Sequence, residues 1–268
     1  MSIPLETELP PELIPYKSHI EATIKPYIEI TARLEENLTP WQSKFAGVPY
    51  LPLDAAYPLD SRNQPMYLLA QINFAETPQL EGFPRHGILQ FYIGADDLYG
   101  ANFEDMTAQQ GFRVLYFPEV LADAGRLQTF APSSAEDFML PLRRSCSLEF
   151  RLRQSPISAV DYQFERVILG RDVREWELES DLLAVIGQYE RLFPSTGHKI
   201  GGYPYFTQWD PRNGEKYRDE GYILLFQMDS DADTDIMWGD VGVGNFFIRD
   251  QDLKARDFSK VLYSWDCS

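Results

Sequence analysis

The chain has 268 residues, with 24 Lys and Arg against 41 Asp and Glu and a net charge of −17. Such a balance repels phosphate backbones and anionic lipid, which sets aside nucleic acid and membrane surfaces; it serves solubility first, and a basic protein is the partner it would suit. Hydrophobic residues make up 44%, enough for a sizeable core, and no apolar run approaches the ~18 residues of a membrane span.

The opening MSIPLETELPPEL has neither a basic segment nor an apolar one, so no secretory signal is expected. Pro11 to Leu38 reads as two helices. Leu13, Tyr16, Ile20 and Ile24 recur at helical spacing; Pro26 breaks the pattern, and Tyr27, Ile30 and Leu34 resume it. From Trp41 the pattern changes to strands and turns. SKFAGVPYLPLDAAYP is a Gly/Pro-punctuated corner, and Met66–Phe74, Ile88–Ile93 and Arg113–Phe117 are apolar strands, the last stopped by Pro118. In Arg143–Arg153, Cys146, Leu148, Phe150 and Leu152 alternate with polar residues, which predicts a strand with one face in the core and one in solvent. Cys146 then belongs to the core rather than to nucleophilic chemistry. With Cys267 it completes a pair that lacks CxxC spacing, so neither a disulfide framework nor a Cys-based metal site is expected, and a reducing cytoplasm fits. Asp181–Leu192 reads as a helix with Ser180 as N-cap, Leu182, Val185, Tyr189 and Leu192 on its apolar side, and Pro194 beyond its end.

An offset of 155 lays the chain on itself. Lys44 falls on Lys199, Gly47 on Gly202, Pro49 on Pro204, Tyr50 on Tyr205, Tyr67 on Tyr222, Gly87 on Gly242, Phe91 on Phe246 and Ile93 on Ile248. One residue of slip brings Gln71-Ile72-Asn73 onto Gln227-Met228-Asp229, and RVLY at Arg113–Tyr116 resembles KVLY at Lys260–Tyr263. So ordered a set of coincidences implies an internal duplication, with a groove at the seam as the natural ligand position. The expected organisation is N-terminal helices over 1–40 packed on the core, a first half over 41–175 and a second over 176–268, together one compact unit. The fold class is α+β, with mainly antiparallel β-sheets, a few helices and two similar halves.

KIGGYPYF, LLFQMDSD, MWGDVGVGNFFI and DFSKVLYSWDC, taken in order over roughly residues 41–268, resemble the YwqG-like bacterial family of unknown function. The resemblance implies a cytoplasmic protein with no established activity. Some relatives have been proposed as immunity proteins that neutralise toxins, and no catalytic set is carried across.

Candidate chemistry concentrates in the second half. Gln227 and Asp229 share one strand face, as do Gln71 and Asn73. Polar groups on strands this apolar either hold the neighbouring Gly-Gly-x-Pro corner through its backbone or line a ligand groove. Lys199 and Lys44, beside their Gly-containing corners, hold an anion or pair with carboxylates. Asp229, Asp231, Asp233 and Asp235 alternate, and Asp240 stands twelfth from Asp229, like an EF-hand loop. The sixth position is Thr234 where that loop needs Gly, and strands flank it where it needs helices, so a solvated acidic hairpin competes with a metal site of Asp229, Asp231, Asp233 and Asp240. Trp238 is a core anchor or a stacking surface. Gly239-x-x-Gly242-x-Gly244 precedes a strand, not the helix N-terminus that phosphate binding uses. His19, His86 and His198 form no repeated site, and no Gly-x-Ser-x-Gly elbow occurs. The resulting expectation is a non-enzymatic binding protein, immunity-like, that takes a basic protein partner and no cofactor. The alternative is a small-ligand or metal-dependent binder or enzyme with its site between the halves.

Overall fold

The computed structural model describes residues 7–130, 140–170 and 180–268. Among them, ten strands form one antiparallel sheet. In chain order they are β1 (Lys25–Leu34), β2 (Lys44–Phe45), β3 (Tyr67–Asn73), β4 (Ile88–Ile93), β5 (Phe112–Phe117), β6 (Cys146–Ser155), β7 (His198–Gly201), β8 (Tyr222–Asp229), β9 (Val243–Arg249) and β10 (Leu262–Asp266). The helices are α1 (Lys17–Ala22), α2 (Ser180–Leu192) and α3 (Asp250–Ala255), with a 3-10 turn, Pro11–Tyr16, leading into α1. The fold is therefore β-dominated, with few helices.

Strand order is β10-β9-β8-β7-β1-β6-β2-β3-β4-β5. The sheet curls until its ends meet, like a nearly closed barrel. Phe112 of β5 and Tyr263 of β10 lie with ring centroids 5.1 Å apart, and the Tyr263 N–H donates to Met106 O at 2.9 Å. Inside the curl, the Phe91 ring lies tilted against both Phe226 and Phe246 at 4.8 Å, so β4 packs on β8 and β9. One core cluster takes Ile28, Phe45, Phe91, Phe112, Phe226, Trp238 and Phe246 together. Burial of both faces explains why β3, β4, β8 and β9 read as unbroken apolar runs rather than alternating ones.

The N-terminal segment departs from expectation. Pro11 to Ala22 is helical, and Leu13 and Ile20 are buried as the spacing requires. The second expected helix is instead β1, at the centre of the sheet, where it pairs with β6 over ten residues and with β7 on its other side. KPYIEITARL also carries a period of two, with Ile28 and Ile30 inward, and its β-branched Ile28, Ile30 and Thr31 suit a strand. Glu29, on the opposite face of β1, pairs across the sheet with Arg153 at 3.1 Å. The clean alternation expected of β6 holds only at its start: Cys146 is fully buried, but Leu152 is 50% exposed. Burial pushes the Cys146 thiol up to about 11, away from reactivity, and both cysteines are free.

Tyr189 of α2 is buried, with its hydroxyl donating to Ile157 O at 2.7 Å. The expected cap Ser180 and first-turn Asp181 have side chains outside the described residues, as does the boundary at 175–176. No helix among the described residues is long and apolar enough to cross a membrane.

Candidate functional site

Two stations in the sheet are built alike. Lys44 lies opposite Gln71, and Lys199 opposite Gln227. At the first, Gln71 Oε1 accepts from Tyr50 N at 2.8 Å, while its Nε2 donates to Pro40 O and Gln42 O at 2.7 and 2.8 Å. At the second, Gln227 Oε1 accepts from Tyr205 N at 2.7 Å, while its Nε2 donates to Ser195 O and Gly197 O at 3.2 and 2.7 Å. Next along, Gln90 Nε2 donates to Tyr50 O at 2.6 Å and Asn245 Nδ2 to Tyr205 O at 2.9 Å. The lysines reach the same corners. Lys44 Nζ donates to Thr39 O and to Val48 O at 2.9 Å, and Lys199 Nζ to Ser195 O and, at 3.5 Å, to Tyr203 O. Burial lowers both lysines to about 8. These buried side chains stitch the Gly/Pro corner onto the sheet by satisfying its backbone.

Register refines the overlay. Tyr67 lies opposite Ile93 as Ile223, not Tyr222, lies opposite Ile248, so the offset is 156 across β3 and the slip falls ahead of it. Both strands carry an irregularity at the same place, between Leu68 and Ala70 and between Leu224 and Phe226. The likeness of RVLY to KVLY is not one of position. Val114 faces Phe91 where Tyr263 faces Phe246, two residues out of step with the match of Tyr116 to Tyr263.

The expected acidic residues are divided among separate tasks. Asp229 is buried, with Oδ2 accepting from Gly197 N at 2.6 Å and Oδ1 from Ser230 N at 2.9 Å; burial raises its pKa. Its counterpart Asn73 donates Nδ2 to Trp41 O at 3.0 Å. Asp231 accepts from Thr234 Oγ1 at 2.7 Å and from Asp233 N at 3.0 Å, and its Oδ2 lies 3.6 Å from His198 Nε2. Bonding to His198 holds the Asp231 carboxyl well below the usual carboxylate range. His198 Nδ1 accepts from Asp229 N at 3.0 Å, so the ring proton sits on Nε2, toward Asp231. Neither ring nitrogen is left as a base for a substrate. Asp233, Asp235 and Asp240 are exposed on the loop. Among the described residues no group of three or more His, Cys, Asp or Glu could hold a metal ion, so Asp229, Asp231, Asp233 and Asp240 are not brought together as in an EF-hand. Two of the four carboxylates are drawn into the protein's own backbone and hydroxyl bonds instead.

Trp238 is fully buried between Tyr99, Tyr263 and Trp265, and its ring lies over Gly244 so closely that a Cβ there would come within 2.4 Å. No face of it is open to a ligand.

Three features escaped the sequence. His198 shows no motif spacing. Arg212 is buried against Asp161 and Asp210 at 2.7 and 2.6 Å, a clasp between segments far apart in the chain. A groove of about 1070 Å³, where residues 82–118 meet residues 256–259, is lined by Arg85, His86, Arg113 and Arg256 and by no acidic residue. Its basic character is invisible in a linear reading because the contributors lie so far apart.

No curated protein matches the chain. Residues 43–267 match the family model described as a domain of unknown function (DUF1963), and the chain belongs to that family.

Proposed function

We propose that the protein is a non-enzymatic binding protein that takes a basic protein partner on the loop joining β8 to β9. The observation that carries this reading is the surface of that loop. Asp233, Asp235 and Asp240 are exposed beside Met237 and Val241, which are 44% and 58% exposed. The loop is pinned from within: Ser230 Oγ donates to Gly242 O at 2.7 Å and accepts from Trp238 N at 3.0 Å, and Asp231 and Ile236 exchange backbone bonds. A rigid acidic ridge with apolar side chains suits a basic, partly apolar partner, since little ordering cost attends binding. The segment bearing Trp209, 54% exposed, is tied to the same corner by Gln208 Nε2 donating to Cys267 O at 2.6 Å. Exposed tryptophan is a common anchor of interfaces.

The polar groups that could have done chemistry at the two stations are occupied in holding backbone, which supports binding rather than catalysis. Matching stations, matching irregularities and matching strand pairs support an internal duplication as the origin of the two halves. Within its family we place the chain with the YwqG-like proteins, in the cytoplasm, in an immunity-like role. The test uses the full chain as bait at low and moderate salt, beside a variant with Asp233→Asn, Asp235→Asn and Asp240→Asn. A basic protein that rebinds when purified, and is lost by the variant at unchanged Tm, is the expected result. Recovery of no basic partner at either salt refutes the reading.

A further inference from the structure

The groove between the ends of the sheet is chemically unlike the rest of the molecule. In a chain of net charge −17, its lining holds Arg85, His86, Arg113 and Arg256 and not one carboxylate. Asp257, next in sequence to Arg256, accepts from Ser259 N at 3.0 Å and does not line it. Its apolar part is aromatic: Phe83, Tyr116 and Phe258 line it, with the Tyr116 and Phe258 rings 5.3 Å apart.

The walls are fixed before anything binds. Arg256 adopts a left-handed backbone at φ 59° and donates Nη1 to Gly82 O and Leu253 O at 2.6 and 2.7 Å and Nη2 to Phe83 O at 3.1 Å. Those bonds leave its Nε–H and one Nη2–H without a protein partner. Gln109 Nε2 donates to Phe258 O at 2.6 Å while its Oε1 accepts from Val114 N at 2.9 Å, closing the groove from the other side. His86 is held through Nδ1 against Pro118 O at 3.1 Å, and Tyr116 donates to His86 O at 2.9 Å. Arg113 is the telling residue. Its Nε is buried without a hydrogen-bond partner, and neither it nor Arg85 has a carboxylate within ion-pair reach among the described residues. A planar guanidinium fork is the side chain best matched to an oxyanion.

We propose that this groove binds a small organic oxyanion, a carboxylate or phosphate carried on an apolar, planar body. Arg113 and Arg85 take the anionic group, Arg256 supplies its two free N–H donors, and the body lies along Phe83, Tyr116 and Phe258. The site is independent of the acidic ridge and does not rest on the basic-partner reading.

The test is calorimetric titration of the full chain with phenyl phosphate and with benzoate, with benzyl alcohol as the neutral control. At least one anion is expected to bind, more weakly as salt rises, and benzyl alcohol is not. Binding of both anions assigns the oxyanion class; binding of one alone assigns phosphate or carboxylate. Arg113→Met and Arg85→Met are each expected to weaken binding about tenfold or more, as loss of a charge-assisted hydrogen bond does, with Tm unchanged or raised because neither side chain holds the fold. If a variant loses Tm, Arg113→Lys and Arg85→Lys replace it: they keep the charge but not the fork and are expected to bind more weakly. Failure of both anions to bind, equal binding of benzyl alcohol, or undiminished binding by the Met variants overturns the proposal.

Discussion

At the scale of single residues, the buried amides of Gln71 and Gln227 perform the same task at two places. Each accepts one backbone N–H and donates to two carbonyls. Gln71→Leu and Gln227→Leu each leave those backbone groups unpaired in the core, and each is expected to cost about 2–4 kcal/mol in urea unfolding. Losses differing several-fold between the two would show that the stations are not equivalent. The buried lysines give a signature in pH. Lys44 falls from 10.5 to about 8 through burial. Between those values the unfolded chain binds more protons than the folded one, so stability from this residue rises with pH across that window. Lys25 and Lys199, also lowered to about 8 by burial, add the same sign. Near and above pH ~10 buried tyrosines, raised by burial, act in the opposite sense. Lys44→Met is therefore expected to flatten the rise in urea midpoint from pH ~8 to 10; an unchanged slope would mean that Lys44 is not the desolvated charge. The pairing of Lys44 with Lys199, and of Gln71 with Gln227, was legible from the overlay alone. That His198 turns one nitrogen to Asp229 N and the other to Asp231 was not, because its neighbours in space lie some thirty residues away.

At the scale of elements, strand β9 and the acidic loop before it depend on each other. Trp238 lies on Gly244, and any Cβ at that position would overlap the indole. Gly244→Ala is expected to cost about 1–3 kcal/mol by overpacking. Combined with Trp238→Leu it should cost less than the sum of the two single losses, since the overlap is gone. Additive losses in urea unfolding would mean that Gly244 serves backbone freedom rather than the indole. Gly239, Gly242 and Gly244, whose place before a strand spoke against a phosphate loop, are places where the backbone passes close to side chains or to other backbone. The misread element, β1, shows the limit of periodicity. Ten residues with apolar groups at both spacings fit helix and strand alike, and the partners β6 and β7, reached only after more than a hundred residues, decide between them.

At the scale of the whole molecule, β3 to β5 and β7 to β10 share one core. Phe91 of the first set packs on Phe226 and Phe246 of the second, and β1 with β6 joins them at the middle of the sheet. Residues 176–268 alone would retain β7 to β10 but lose β1 and the aromatic face that covers them. That fragment is expected to show no cooperative urea transition and poor dispersion in its amide NMR spectrum, and a well-dispersed spectrum would mean that each half folds by itself. The closure of the curl also creates the arginine-lined groove, where residues 82–118 meet residues 256–259.

The residues by themselves determined the apolar strands, the α2 helix, the twofold recurrence of Lys, Gln, Gly and Pro, and the acidity of the surface, because each rests on local pattern or on totals. Tertiary structure alone decided that β1 is a central strand, that Trp238 is closed to ligands, that the alternating aspartates divide among backbone, histidine and solvent, and that three arginines face one groove. Those outcomes depend on which distant segments meet. Pairing, burial and charge proximity are properties of the curled sheet, and no stretch of chain carries them alone.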